Sequence, residues 1–293
     1  MSGGPILVTG ATGFVGRALI QECRRRRVPV IGVSRSPPRK RAAAIRWIRF
    51  ADLNARRLRR LDFQSGALVH LAGASRDLPG SSLHDAIVRT TEVAVAAVKA
   101  AGGRRIVYPS GFGGSPSCPE AYFRAKAEAE RIIGGSGIPH TIFRCSYILG
   151  PGDELTPFLT DAMRKGTVEI PGDGSYRIQP LFVEDVARIF LRAATEGAAP
   201  TGTFNLLGEP IAYIDLVRRF RDRLAPGARI RKVPVETFLR RALSSADPAL
   251  TLGELAILLL DQVGPPTGAF LGVTLRGVPA ILDRATRRTT GRR

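Results

Sequence analysis

The sequence predicts an α/β fold: a doubly wound parallel sheet with a smaller C-terminal α+β portion. Two patterns predict it. Short apolar runs alternate with helical patterns through the first half of the 293 residues, the rhythm of a parallel sheet covered on both faces by crossover helices. A glycine-rich turn, VTGATGFVG at 8–16, separates the first apolar run from the first helical pattern. After Gly150 the alternation loosens. Residues 1–150 therefore form the sheet domain, a strand near 202–208 returns to it, and 151–293 form the second portion.

In order, PILVTG supplies the first strand and residues 14–26 the first helix. VPVIGVS, IRWIRFADL and ALVHLAG are short runs bounded by polar or glycine-rich turns, hence three more strands. Residues 82–101, which carry IVRTTEVAVAAVKA, read as a long helix. RRIVYPSG is the fifth strand, EAYFRAKAEAE opens a charged, alanine-rich helix, and HTIFRC is the sixth strand. Beyond Gly150, PGDELTPFLTDAMRKG gives a loop and a helix, FVEDVARIFLRAA an amphipathic helix, and GTFNLLG the returning strand. From about residue 210 helices alternate with RIRKVPV; GPPTGAFLG at 264–272 is the irregular stretch, and the chain ends in a basic tail. No internal repeat interrupts this order.

Hydrophobic residues are 44% and charged residues 24%, ordinary for a soluble globular protein. The first apolar run begins at Pro5, so no targeting peptide is expected, and the longest apolar run, 255–260, is far too short to span a bilayer. Cys23, Cys118 and Cys145 are isolated, and His70, His84 and His140 are not clustered. No disulfide framework and no metal site are expected, and the cytoplasm is the expected compartment. His70, inside ALVHLAG, reads as a packed strand-end residue. The net charge of +19 is carried mainly by arginine, with lysine only at 40, 99, 126, 165 and 232. A basic surface suits an anionic membrane surface or an acidic partner, while the scatter of the arginines fits compositional bias equally well. Without zinc spacing or an aromatic RNA-binding motif, no specific nucleic-acid partner is expected. The oligomeric state stays open.

The glycine turn carries the clearest chemistry. Gly10 permits a tight turn, Gly13 lets the backbone approach a pyrophosphate, and Gly16 lets the helix pack on the strand. The helix N-terminus offers free N–H groups and a positive dipole end, so Thr12, Phe14 and Val15 join the glycines as cofactor-binding residues. Leu71, Ala72 and Gly73, at the end of the fourth strand, complete a Rossmann-type NAD(P) site. An acidic residue at the end of the second strand would hold both ribose hydroxyls of NAD. Here VIGVSRSPPRK places Ser34 and Arg35, with Arg39 and Lys40 nearby. The missing carboxylate favours NADP(H), with NAD(H) as the alternative, because a guanidinium pairs with a 2′-phosphate.

Tyr122 and Lys126 stand four apart, so on a helix they share one face. They are either a phenol–ammonium pair at the cofactor site or two residues of a surface helix.

The G-x-x-G-x-x-G turn, the Y-x-x-x-K pair, RCSYILGPGDELTPFL and IQPLFVEDVARIFLRA together resemble short-chain dehydrogenases/reductases of the extended and atypical branches, over nearly the whole chain. The resemblance implies a catalytic set. Tyr122 exchanges a proton while the nicotinamide passes a hydride, and Lys126 lowers the phenol pKa and holds the nicotinamide ribose. Ser110 hydrogen-bonds the substrate carbonyl, with Ser115 and Ser117 as fallbacks. Asp52 sits where that family places an Asp against the adenine, or else is a helix N-cap or turn residue. Arg144 to Tyr147 line the nicotinamide end, and Asp185 caps a helix. Within these branches, SGFGGSPSCPEAYFRAKAEAE, EIPGDGSYRIQPLFVEDVA and LAILLLDQV look closest to the group containing the NAD(P)H-binding accessory subunit of respiratory complex I and its bacterial homologues.

Two functions follow from the resemblance. One is an NADP(H)-dependent oxidoreductase acting on a small carbonyl or alcohol substrate. The other is a cofactor-holding accessory or assembly protein bound to membrane-complex subunits, peripheral at the inner membrane face. A nucleotide-sugar epimerase or dehydratase is a third reading, disfavoured because those enzymes expect an acidic residue after the second strand.

Overall fold

A computed structural model describes residues 4–38, 45–77, 80–244 and 252–286. Arg39, Lys40 and the basic end of the chain lie outside the described residues. The chain forms two compact units.

The first unit comprises the chain up to Cys145 together with Glu184–Asn205 and Ala269–Val273. Its centre is a seven-stranded sheet. Six strands are β1 (Ile6–Thr9), β2 (Val30–Ser34), β3 (Ile45–Arg49), β4 (Ala67–His70), β5 (Arg105–Gly111) and β6 (His140–Cys145). They lie in the order β3-β2-β1-β4-β5-β6, each neighbour parallel to the next, and the strand Gly202–Leu206 lies beside β6. This is the doubly wound parallel sheet that the alternating pattern predicts. The reason is visible in the side chains. β1, β2 and β4 are buried at every position, which only a sheet covered on both faces allows. β3, at the edge, instead exposes Arg46 and Arg49, which discourages further strand pairing.

The helices are α1 (Phe14–Arg25), α2 (Ala55–Arg59), α3 (Thr90–Ala100) and α4 (Ala121–Gly134), followed much later by Val183–Thr195. The long helix predicted over 82–101 is divided: a wider turn at Asp85–Arg89 leads into α3. The core runs through the central strands, with Leu7, Ile31, Leu68 and Ile106 each fully buried. Burying such a side chain contributes roughly 1.5–3 kcal/mol, so these four positions tie the strands to the covering helices.

The second unit comprises Ser146–Val183, Leu206–Gly268 and the chain from Thr274. Thr167–Pro171 pairs in parallel with Arg229–Val233, and Leu155–Arg164 and Tyr213–Leu224 pack around them through buried Leu159, Met163, Leu216 and Phe220. Residues 261–268 are irregular and Gln179 anchors them, but the stretch 264–272 expected to be irregular ends in a short hairpin, with Ala269–Phe270 paired to Val273–Thr274. The Gln179 Nε2 donates to the carbonyls of Gly208 and Gly264, both at 2.9 Å, while its Oε1 accepts from the Gly264 N–H. Asp185 lies not at a cap but inside the first turn of its helix, fully buried and paired with Arg188. Among the described residues no helix is long and apolar enough to cross a membrane.

Candidate functional site

The site is built at the carboxyl ends of the parallel strands of the first unit, where a doubly wound sheet opens a crevice. Gly10 follows β1 with φ +64°, and a Cβ there would lie 2.6 Å from the Leu71 carbonyl oxygen, so only glycine fits. A Cβ on Gly16 would come within 2.2 Å of the Gly10 oxygen, so α1 packs on the turn only because this residue has no side chain. Gly13 is different. It caps α1 with ordinary φ −71°, and a Cβ there would meet nothing but the Gly10 oxygen at 3.1 Å. What Gly13 keeps clear is the space in front of the helix N-terminus, where first-turn N–H groups have no intrahelical partner. Thr12, Phe14 and Val15 flank that space, and the Thr12 carbonyl accepts from Arg17 at 2.8 Å.

Across the crevice, the Leu71 and Ala72 N–H groups donate to Thr9 Oγ1 at 3.1 and 3.3 Å. Gly73 is exposed just beyond them. Ser34 ends β2 with its hydroxyl buried and without a partner among the described residues, and Arg35 follows, exposed. Asp52 closes a short turn, Phe50–Asp52, and is exposed. It is not the helix cap: Asn54 Oδ1 accepts from the Arg57 N–H at 2.9 Å and caps α2.

Ser110, Tyr122 and Lys126 come together where β5 meets α4. Pro109 explains the opening. Proline brings no N–H to a ladder, and the pairing of β5 with β4 stops at Val107, while β6 continues to pair as far as Gly111. The Pro109 carbonyl accepts from Lys126 Nζ at 2.9 Å. Ser110 is 3% exposed and its hydroxyl has no partner among the described residues. An orphaned buried hydroxyl costs about 1–3 kcal/mol, so it calls for a ligand. A Cβ on Gly111 would sit 3.1 Å from Tyr122 Cε1, which fixes how closely the phenol ring lies against the strand end. Ser115 and Ser117 bond to each other on the exposed loop beyond.

The electrostatics correct one expectation. The Tyr122 phenol is shifted up, not down. Burial pushes that phenol up to about 12, and the neighbouring Cys145 adds to the rise. The Lys126 ammonium lies over the Tyr122 ring, 5.7 Å from its centroid, and donates to Pro109. Lys126 is itself lowered to about 8 by desolvation, against the opposing pull of Cys145 and Glu130. Arg144 is held on Glu130 by a fork of bonds at 3.1 and 2.7 Å, one turn beyond Lys126 on α4. Tyr108 and Glu130 beside Lys126 escaped the sequence reading, and Cys145 entered it only within the run Arg144 to Tyr147. Tyr108 shares a strand face with Ser110 at period two, and Glu130 follows Lys126 by four on α4, so either spacing could have signalled them; Cys145 reaches Lys126 only through the packing of α4 on β6. Among the described residues no His, Cys, Asp or Glu cluster suits a metal ion.

Residues 6–206 match the model of the NAD dependent epimerase/dehydratase family. The chain belongs to that family. Among curated proteins it is 26% identical over 246 residues to the mitochondrial NADH dehydrogenase [ubiquinone] 1 alpha subcomplex subunit 9 of Arabidopsis thaliana, covering 80% of this chain and 61% of the relative. It is 28% identical over 244 residues to the 2-alkyl-3-oxoalkanoate reductase of Stenotrophomonas maltophilia, covering 73% of this chain and 74% of that protein. The fold is shared with the Bordetella bronchiseptica enzyme WbmH in complex with NAD+, with TM-score 0.72 at 18% identity over 99% of both chains. This epimerase/dehydratase-family chain thus carries its glycine turn and its Tyr–Lys pair within the family-matched region.

Proposed function

We propose that the protein is an NADP(H)-dependent reductase of a small carbonyl substrate. The observation that carries this reading is the buried, unpartnered Ser110 hydroxyl, set beside Tyr122 and Lys126 at the open end of β5. A nicotinamide dinucleotide, with its pyrophosphate at the N-terminus of α1, would supply the hydride when bound. The chain's own residues do the rest. The Ser110 hydroxyl donates a hydrogen bond to the substrate oxygen. Tyr122, with its phenol raised to about 12, stays protonated through neutral pH and is therefore a proton donor to that oxygen rather than a base. Arg35, after a β2 that ends without a carboxylate, would pair with a 2′-phosphate and give the preference for NADPH. Asp52 would stand against the adenine and Arg144 at the nicotinamide end. The similarity to an oxoalkanoate reductase supports a carbonyl substrate.

A second reading draws on the similarity to a complex I subunit: the protein holds the dinucleotide without turnover, as an accessory of a membrane complex. One experiment separates the two. The purified protein is examined by mass spectrometry for co-purified dinucleotide, then given NADPH and a panel of carbonyl compounds while NADPH absorbance is followed. Oxidation of NADPH by any member of the panel supports the reductase. Tight binding without turnover supports the accessory role, and a folded protein that binds neither NADPH nor NADH overturns both.

A further inference from the structure

The Lys126 ammonium is buried without an ion pair among the described residues. Its nearest partners among the described residues are one carbonyl and one ring. Nζ donates to Pro109 at 2.9 Å and lies over Tyr108, 4.7 Å from the ring centroid, closer than the 5.7 Å to the Tyr122 ring. Tyr108 is fully buried, and its hydroxyl has no partner among the described residues, so the position uses the ring and not the hydroxyl.

That ring is braced. It stacks on His70 with centroids 5.7 Å apart and planes 21° from parallel. His70 is locked through both nitrogens. Thr9 Oγ1 accepts from the Leu71 and Ala72 N–H groups, so its own proton goes to His70 Nδ1 at 2.6 Å. Thr91 donates its hydroxyl proton to the Ile87 carbonyl, so it accepts from His70 Nε2–H at 3.0 Å. The imidazole is thus a neutral, Nε2-protonated ring, and burial and the Lys126 charge hold its pKa down at about 3. A continuous chain of contacts runs from the glycine turn through Thr9, His70 and Tyr108 to Lys126.

We propose that Tyr108 is a positioning residue whose ring face holds the Lys126 ammonium charged and in place, with His70 as its brace. A ring quadrupole attracts a cation most strongly where water is excluded. The other groups facing Lys126 are Tyr122 and Glu130 on its own helix, His70 on β4 and Cys145 on β6. Cys145, a thiol that burial pushes up to about 12, and the Glu130 carboxylate both oppose the desolvation of Lys126, but neither forms an ion pair with it among the described residues. The proposal deepens the functional reading given above, because it assigns what keeps the lysine of that site cationic. Its main readout, a titration, needs no cofactor.

The test is the titration of Lys126 in the full chain labelled with 13Cε-lysine. There are five lysines, and the Lys126→Arg variant identifies the signal. The wild-type midpoint is expected near 8. Tyr108→Phe should leave it there. Tyr108→Leu should lower it by about one pH unit, because the ring face is gone. Should Tyr108→Leu not fold, phenylalanines carrying one and three ring fluorines at position 108 keep the shape and weaken the quadrupole, and the midpoint should fall stepwise along that series. A midpoint that rises toward 10.5 in Tyr108→Leu, or that stays constant along the fluorinated series, overturns the proposal. A midpoint that falls as described while NADPH affinity is unchanged supports the platform and counts against Lys126 as a dinucleotide ligand.

Discussion

The Lys126 ammonium lies 5.7 Å from the centroid of the Tyr122 ring, one helical turn away, and gives its hydrogen bond to the Pro109 carbonyl. The pair is real in space, but the half-buried phenol keeps its proton, because desolvation and the neighbouring Cys145 raise it. If Tyr122 is the proton donor, Tyr122→Phe keeps the ring against Gly111 and removes the proton. NADPH-dependent turnover should fall by about 10²–10⁴-fold while NADPH affinity measured by calorimetry stays put. An active wild type whose rate survives Tyr122→Phe would remove Tyr122 from the chemistry.

Ser110→Ala should separate stability from function. Removing an orphaned buried hydroxyl should stabilise the ligand-free protein, by about 1 kcal/mol. The same change should slow turnover, because the substrate oxygen loses a donor. Chemical denaturation and steady-state kinetics on one preparation check both halves. A variant that is less stable than wild type would show that the hydroxyl has a partner within the protein.

Gly13→Val places a branched side chain in the space before the α1 N-terminus, where the protein itself offers only the Gly10 oxygen at 3.1 Å. The fold should persist and dinucleotide binding should be abolished. Circular dichroism and calorimetry read the two outcomes, and normal binding in the folded variant would move the site elsewhere.

Arg35→Ala should weaken NADPH by about 1.5–3 kcal/mol and leave NADH nearly unchanged, the signature of a lost charge-assisted hydrogen bond to a 2′-phosphate. Equal wild-type affinities for the two dinucleotides would sink the NADPH preference.

His70 predicts an acid-side instability. Its folded pKa of about 3 lies below the ordinary 6.5, so the unfolded chain takes up a proton that the folded one refuses. The contribution is complete above about 6.5 and is lost as pH falls toward about 3. Thermal melts across that window should fall more steeply in wild type than in His70→Gln. Parallel slopes would mean that His70 is protonated in the folded protein.

Much of this was legible in the chain itself. The short apolar runs of β1, β2 and β4, bounded by turn residues, read as strands buried on both faces, and the glycine spacing after β1 marked the phosphate turn, because both signals are local. The four-residue step from Tyr122 to Lys126 put both on one helical face for the same reason. His70 was recognisable as a packed strand end. Tertiary structure decided the rest. Of the cap and turn alternatives for Asp52 the structure shows the turn, and the cap falls to Asn54, two residues on, because a cap is set by where the helix actually begins. The direction of the Tyr122 shift depended on burial beside Cys145, a residue 23 positions away on β6 that comes close only because β6 pairs with β5 and α4 lies over both. Pro109 gave no sequence sign that its carbonyl would take the lysine, nor Tyr108 that its ring would lie beneath it. Periodicity specifies which face a residue occupies; what stands opposite that face, and how dry the space between them is, follows only from the packing of elements distant in the chain.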